Sequence, residues 1–127
     1  MIICDSNIFI EIFRKNFFIR SELEKIGHEN VIVSDVIKAE LFFGAKNKQE
    51  LQSIKNYLNN YSSLTIQPEI SEMALGFVEN YCLSQKLKLP DALIAATAIY
   101  HNIELFTLNT KDFKFISNIK LYQINKN

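Results

Sequence analysis

Residues 2–9 read IICDSNIF, and this short stretch is the clearest indication of the fold class. Residues 2–4 are an apolar, β-branched-rich run of the length and character of a buried strand. Asp5, Ser6 and Asn7 follow as a polar turn, and we expect the first helix to begin after Asn7. The stretch therefore predicts a strand, a turn and a helix in direct succession.

The same alternation of short strands and helices continues along the chain. Further strands are predicted at residues 31–33, 64–66, 104–106 and 120–123. Further helices are predicted at residues 22–26, 35–43 with Ser34 as the N-cap, 48–57, 71–83 and 90–100. Strands that alternate with helices predict an α/β fold with a central, mainly parallel sheet, here of about five strands.

Composition narrows the class of protein. The 127 residues are 48% hydrophobic and 22% charged, which predicts one compact domain over residues 1–127. The net charge of +0 argues against bulk electrostatic coating of nucleic acid, although it is compatible with a nuclease. Without a long apolar run or a signal-like N-terminus, we expect a cytoplasmic protein with no membrane partner. Cys4 and Cys82 lack zinc-site spacing, and we expect both to be buried.

Two acids are predicted to lie at one edge of the sheet. In open α/β sheets, ligands bind beyond the carboxyl ends of the strands, at a topological switch point. Asp5 directly follows the first strand, and Asp112 follows the strand-like run ELFTLN by a few residues. For Asp5, capping of the next helix competes almost evenly with catalysis. For Asp112, a cap or turn role is a serious alternative.

Glu40 and Asp91 are acids on apolar helices. Glu40 lies on the same predicted face as Val36 and Phe43, where a solvated glutamate is unusual; the alternative is a salt bridge at the edge of the core. Asp91 opens a helix that is apolar on all sides and therefore predicted to pack centrally. Its alternative role is to complement the helix dipole.

Convergence of these acids would favour a hard cation. Two unit charges about 4 Å apart repel by about 4 kcal/mol at an effective dielectric near 20. Mg²⁺ or Mn²⁺ would remove that penalty, because both ions prefer oxygen ligands. The chemistry that follows is metal-assisted hydrolysis of a phosphodiester.

Three segments of the chain carry a resemblance to a known family. They are CDSNIFIEIF at 4–13, SDVIKAELFFGA at 34–45 and LPDALIAATAIYHNIELFTLNTKDF at 89–113. In this order they resemble the PIN-domain ribonucleases, in particular the VapC-type toxins of toxin–antitoxin pairs. The resemblance implies a three-layer α/β/α domain with an acidic pocket that holds Mg²⁺ or Mn²⁺.

The resemblance also implies roles for individual residues. Asp5, Glu40, Asp91 and Asp112 match the four family acids, with Asp5 and Asp91 as metal ligands and Glu40 and Asp112 acting directly or through water. The matching accessory polar positions are Ser6, Asn7, Thr107 and Asn109.

The family likeness further suggests an endoribonuclease toxin that cleaves RNA, often a transfer RNA, as a homodimer. A cognate antitoxin would cover the active site with its C-terminal segment. Surplus apolar side chains near the N-terminus could receive such a partner: Ile8, Phe9, Ile12, Phe13, Phe17 and Phe18, half of which we expect to pack inside. Candidate contacts to the RNA backbone are Arg14, Lys15 and Lys111.

Two other functions stay open at this point. The first is a catalytically silent module of the same fold that binds RNA or protein, against which the four acids argue. The second is an aspartyl-phosphate phosphatase with an acid cluster. That class also places an Asp after its first strand but usually has a second acid two residues later, where this chain has Asn7.

Overall fold

The computed structural model of the chain describes residues 1–124 and has a parallel sheet at its centre. The strands are β1 (Ile2–Cys4), β2 (Val31–Ser34), β3 (Ser62–Leu64) and β4 (Glu104–Phe106). Their order in the sheet is β3-β2-β1-β4, and every neighbouring pair is parallel. In register, Ile3 of β1 lies between Ile32 of β2 and Leu105 of β4.

Within residues 1–124, six helices connect or flank these strands. They are α1 (Ser6–Phe13), α2 (Phe17–Ile26), α3 (Asp35–Phe43), α4 (Lys48–Leu58), α5 (Pro68–Gln85) and α6 (Leu89–Tyr100). Short 3-10 helices span His28–Asn30 and Thr110–Asp112. Both β1 and β2 are buried along their whole length, so elements cover both faces of the sheet. The α/β prediction is confirmed.

Most predicted boundaries agree with the structure to within a few residues. The first helix begins at Ser6 rather than after Asn7, and the second begins at Phe17, earlier than predicted. The third strand lies two residues earlier than predicted, at Ser62–Leu64. Ser34 caps α3 as expected, since its Oγ accepts a hydrogen bond from the Ile37 amide at 3.3 Å.

The predicted fifth strand at residues 120–123 is reduced to a single bridge between Leu121 and Leu105. The Leu105 amide donates to the Lys120 carbonyl, and the Tyr122 amide donates to the Leu105 carbonyl, both at 2.8 Å. This segment lies along the outer side of β4. Over the part of the chain that the structure describes, the sheet therefore has four full strands and a short edge extension, close to the predicted five.

The core lies between the sheet and the helices, with α6 packed centrally as predicted. Ala92, Ile94, Ala95 and Ala96 of α6 are all completely buried. Cys4 is buried in β1, but the prediction that Cys82 is buried is wrong, because Cys82 lies on an exposed face of α5. Among the described residues, no helix is long and apolar enough to cross a membrane.

Candidate active site

The carboxyl ends of β1 and β4 meet at the point where the strand order reverses. The chain adds β2 and β3 on one side of β1 and then returns to place β4 on the other side. A crevice beyond the strand ends is expected at such a point. Asp5 follows β1 and Thr107 follows β4, and both side chains are buried there.

Asp5 is held by a network of donors. Its Oδ1 accepts a hydrogen bond from the Ser6 amide at 2.8 Å, which makes Asp5 the N-cap of α1. Its Oδ2 accepts from the Thr107 hydroxyl at 2.8 Å and from Asn7 Nδ2 at 3.4 Å. The side chain is only 6% exposed. Capping is therefore a real role of Asp5, but it occupies only one of the two carboxylate oxygens.

The accessory polar residues tie the two strand ends together. Asn7 Nδ2 donates to Thr107 Oγ1 at 3.3 Å, and Asn7 Oδ1 accepts from the Leu108 amide at 3.2 Å. The Asn109 amide donates to Thr107 Oγ1 at 3.1 Å, while Asn109 itself is exposed. The two bonds of Asn7 connect residues about 100 positions apart in the chain and hold the loop after β4 against the start of α1.

The four acids predicted from the sequence influence one another electrostatically. Burial raises the pKa of Asp5, and the charge of Asp112 raises it further, although hydrogen bonds from Thr107 and Ser6 lower it in part. Burial, followed by the charges of Asp5 and Asp112, raises the pKa of Asp91 from 3.8 to about 6. The structure therefore brings Asp5, Asp91 and Asp112 into one region of negative potential.

Glu40 lies at the exposed rim of the same region. Burial of its carboxylate, then the charges of Asp5 and Asp91, raise its pKa, and the Ser6 hydroxyl offsets part of this rise. The prediction that Glu40 shares an apolar face with Val36 and Phe43 is only partly correct. Val36 is buried, but Phe43 is 94% exposed because it lies in the last turn of α3. None of the ion pairs among residues 1–124 includes Glu40, so the salt-bridge alternative is not supported.

Asp91 and Asp112 reach the site from different elements. Asp91 lies in the first turn of α6, after an N-cap at Lys88 that makes no side-chain cap bond, so its charge also complements the helix dipole. Asp112 ends the 3-10 helix Thr110–Asp112 and is exposed; its amide donates to the Asn109 carbonyl at 3.0 Å. Lys111 is exposed beside it.

Two cavities flank α1, and Glu40 lines the larger of them. The larger has a volume of about 710 Å³ and contains Glu40 and Arg14, whose guanidinium also pairs with Glu11 at 3.4 Å. The smaller, of about 330 Å³, contains Lys15 and Arg20. Phe13 and Tyr57 line both. Tyr57 was not predicted to line a cavity, because its spacing on α4 is typical of ordinary helical packing.

The four acids provide the oxygen ligands that a hard divalent cation prefers. All four acids offer carboxylate oxygens, and a positive ion would relieve the repulsion that raises the pKa values of Asp5, Glu40 and Asp91. Within residues 1–124, however, no three acidic, histidine or cysteine side chains are arranged as a ready-made metal site. Ion binding would therefore require the other acidic side chains to move closer to the fixed carboxylate of Asp5.

Comparison with known proteins places the chain in a family. The model of the PIN domain matches residues 2–118. No curated protein matches the chain at a significant level.

Solved structures of related complexes share the fold over nearly the whole chain. A chain of a toxin–antitoxin complex from Klebsiella pneumoniae is 33% identical, with a TM-score of 0.80 over 98% of this chain and 100% of that one. A chain of VapBC2 from Rickettsia felis, bound to a DNA fragment from its promoter, is 27% identical, with a TM-score of 0.79 over 96% and 98%. A chain of VapBC-1 from nontypeable Haemophilus influenzae is 25% identical, with a TM-score of 0.77 over 96% and 97%. The chain therefore belongs to the PIN-domain family and is of the VapC type that its sequence motifs predict.

Proposed function

We propose that this chain is a metal-dependent endoribonuclease that acts as the toxin of a toxin–antitoxin pair. Membership of the PIN-domain family supports a nuclease. The observation that carries the proposal is the group of carboxylates at the β1/β4 switch point, whose pKa values rise through burial and mutual repulsion. Such perturbed groups in a crevice are typical of catalytic sites.

Asp5 and Asp91 would hold Mg²⁺ or Mn²⁺, with Glu40 and Asp112 acting directly or through water. When bound, the ion would lower the pKa of an attacking water and neutralise charge on the phosphate and the leaving oxygen. The chain itself supplies orientation: Thr107 and Asn7 donate to Asp5 Oδ2, and Ser6 donates to Oδ1. Because these donors fix the buried carboxylate, its position would change little when an ion binds.

The substrate class follows from the family and from the surroundings of the site. RNA, such as a transfer RNA, would pass its backbone along the larger cavity, which both Arg14 and Glu40 line. Lys15 in the smaller cavity and exposed Lys111 beside Asp112 are further candidate phosphate contacts. Substrate of this kind would be met in the cytoplasm, the location predicted from the sequence.

An antitoxin would bind the apolar surface of α1 and α2. Ile8 and Phe9 are completely buried and unavailable, whereas Phe13, Phe17 and Phe18 are 39%, 71% and 56% exposed. Large aromatic side chains at such exposure are typical of a surface that a partner covers. Phe13 of this surface lines both cavities, and Glu40 lines the larger one, so one antitoxin segment could cover the apolar surface and reach the acids. The matched solved structures include a toxin–antitoxin complex.

A homodimer is the oligomeric state that the family likeness implies. Exposed apolar side chains outside the α1–α2 surface, such as Phe43 and Leu83 at 94% and 89% exposure, are candidate contacts between copies. Sedimentation velocity of the purified chain tests this directly. A purely monomeric species at micromolar concentration would contradict the proposed homodimer.

The central test is cleavage of RNA by the purified protein. Wild type is incubated with transfer RNA and Mn²⁺ or Mg²⁺ beside Asp91→Asn and, as a matched control, Asp35→Asn, which makes the same change in the first turn of α3. We expect cleavage by wild type and Asp35→Asn, none with EDTA, and none by Asp91→Asn.

Other outcomes separate the alternatives. Cleavage by Asp91→Asn at the wild-type rate, or cleavage that survives EDTA, would contradict the proposed metal site. RNA binding without any cleavage would favour the silent module. Release of phosphate from p-nitrophenyl phosphate without RNA cleavage would favour the phosphatase.

A further inference from the structure

Glu22 of α2 is a buried acid that the proposed chemistry does not use. Its side chain is only 1% exposed, although a carboxylate is costly to remove from water. Tyr122 lies 100 residues away in the chain, and its hydroxyl donates to Glu22 Oε2 at 2.9 Å. Lys25 Nζ approaches Oε1 at 3.5 Å from a mostly exposed position. Tyr122 therefore provides the shorter of the two contacts to this buried group.

Tyr122 also contacts the strand that supports the candidate site. Its ring packs against Phe106, the last residue of β4, with ring centroids 4.8 Å apart. Its amide donates to the Leu105 carbonyl, so backbone and side chain both hold this segment along β4. Burial, followed by the hydrogen bond to Glu22, raises the pKa of the Tyr122 phenol from 10.0 to about 12. The phenol is therefore protonated at neutral pH, as an ordinary tyrosine is, and can donate to Glu22.

The end of β4 holds Asp5 through two consecutive residues. The Phe106 carbonyl accepts a hydrogen bond from the Asp5 amide at 2.9 Å. The next residue, Thr107, donates its hydroxyl to Asp5 Oδ2 at 2.8 Å. A shift of Phe106 would therefore move both the backbone and the carboxylate of Asp5.

We propose that Glu22 and Tyr122 are positioning residues for the candidate active site. The buried carboxylate of Glu22 anchors the Tyr122 hydroxyl, the Tyr122 ring fixes Phe106 at the end of β4, and Phe106 and Thr107 fix Asp5. The Tyr122 segment lies along the edge of β4 opposite β1, so Glu22 and Tyr122 act through β4 and not as metal ligands. This inference rests on the proposed metal-dependent function.

The test compares Tyr122→Phe with Tyr81→Phe, the same loss of a hydroxyl from a tyrosine that packs on Phe115. Mn²⁺ affinity is measured by calorimetry, RNA cleavage as kcat and KM, and folding by the melting temperature. Tyr122→Phe should weaken Mn²⁺ binding and lower kcat by about fivefold each, with KM within about twofold, because Asp5 is less well oriented. Tyr81→Phe should match wild type in all three.

A second pair of variants tests the contact from α2. Glu22→Gln keeps an oxygen that accepts the Tyr122 hydroxyl and should restore wild-type Mn²⁺ affinity. Glu22→Met removes the acceptor while filling the buried space, so it should behave as Tyr122→Phe even if it melts at a higher temperature. This pair decides the question if Tyr122→Phe fails to fold.

The outcomes separate this inference from the function on which it rests. Wild-type Mn²⁺ affinity and kcat in both Tyr122→Phe and Glu22→Met would overturn the positioning role alone. Equal loss in Glu22→Gln and Glu22→Met would also overturn it, because the charge rather than the acceptor would then matter. A wild-type protein that neither binds Mn²⁺ nor cleaves RNA would overturn the proposed function, and the inference with it.

Discussion

Asp5 and Glu22 are both buried carboxylates, yet their surroundings differ. Glu22 is 1% exposed and lies between a tyrosine donor at 2.9 Å and a lysine at 3.5 Å. Asp5 is 6% exposed and has hydrogen-bond donors, but the charges near it belong to other acids. Burial alone therefore does not mark an acid as a candidate metal ligand.

The difference between the two sites lies in what balances the charge. At Glu22 the chain itself supplies a phenol and a cation, and the site is complete. At Asp5 the chain places Asp91, Asp112 and Glu40 nearby, which raises the pKa values of Asp5, Asp91 and Glu40, and no ion pair among residues 1–124 neutralises these four acids. The cation of the proposed function would supply the missing positive charge. Variants at the two sites test this contrast.

The largest expected effect is loss of catalysis on neutralising Asp5. Asp5→Asn should lower the rate of RNA cleavage on the order of 10³-fold, or ~4 kcal/mol of transition-state stabilisation, because a direct metal ligand is lost. Its melting temperature without metal should not fall, since like-charge repulsion decreases. Glu79→Gln on the exposed face of α5 serves as control. Single-turnover cleavage that remains within tenfold of wild type would remove Asp5 from the metal site.

At the other buried acid the expected effect is on stability. Glu22→Ala should lower the free energy of unfolding by ~3 kcal/mol, because it leaves a cavity and a Tyr122 hydroxyl without its acceptor. Urea unfolding followed by circular dichroism measures this change. The exposed neighbour Glu24→Ala should cost far less, about 0.5 kcal/mol for its surface pair with Arg20. Equal losses at the two positions would contradict a structural role for Glu22.

A smaller effect is expected at the donor that orients Asp5. Thr107→Val keeps the shape of the side chain but removes the hydrogen bond to Asp5 Oδ2. Mn²⁺ affinity measured by calorimetry should fall by about tenfold, because the ligand loses its fixed orientation. Thr107→Ser keeps the hydroxyl and should bind as wild type does. If valine and serine variants bind Mn²⁺ equally well, orientation by Thr107 is unimportant.

The smallest effect is on the pH dependence of stability without metal. The pKa of Asp91 is about 6 in the folded chain against 3.8 for the ordinary group, so the folded state binds this proton more tightly. The stability that this bound proton adds to the folded state is fully present below about pH 4 and is lost as the pH rises through about 6. Between these limits the free energy of unfolding of wild type should fall by about 1 kcal/mol more than that of Asp91→Asn. The difference is no larger because water screens part of the repulsion at this half-buried position.

Urea unfolding in EDTA at several pH values measures that difference. Addition of Mn²⁺ at neutral pH should restore the lost stability to wild type and not to Asp91→Asn. Parallel pH profiles for the two proteins would show that burial and the neighbouring acids do not raise the pKa of Asp91.

Local patterns were enough to predict most of the secondary structure. The strand at residues 104–106 and the helix at 35–43 with its Ser34 cap coincide with β4 and α3, because apolar periodicity and capping depend on near neighbours. The strand at 64–66 was displaced, since β3 is short and partly exposed and carries little apolar signal. Phe43 follows the helical pattern of a buried residue but lies where α3 ends and nothing covers it among the described residues.

The sequence by itself determined the alternation of strands and helices, the placement of Asp5 after β1, the central packing of α6 and the motifs that indicate the family. Only the tertiary structure decided that β4 returns beside β1, that Glu40 stands at an exposed rim, and that Tyr122 reaches Glu22 across 100 positions. The reason is physical. Periodicity and capping act within a few residues, whereas strand order and the pairing of buried polar groups depend on packing between distant segments.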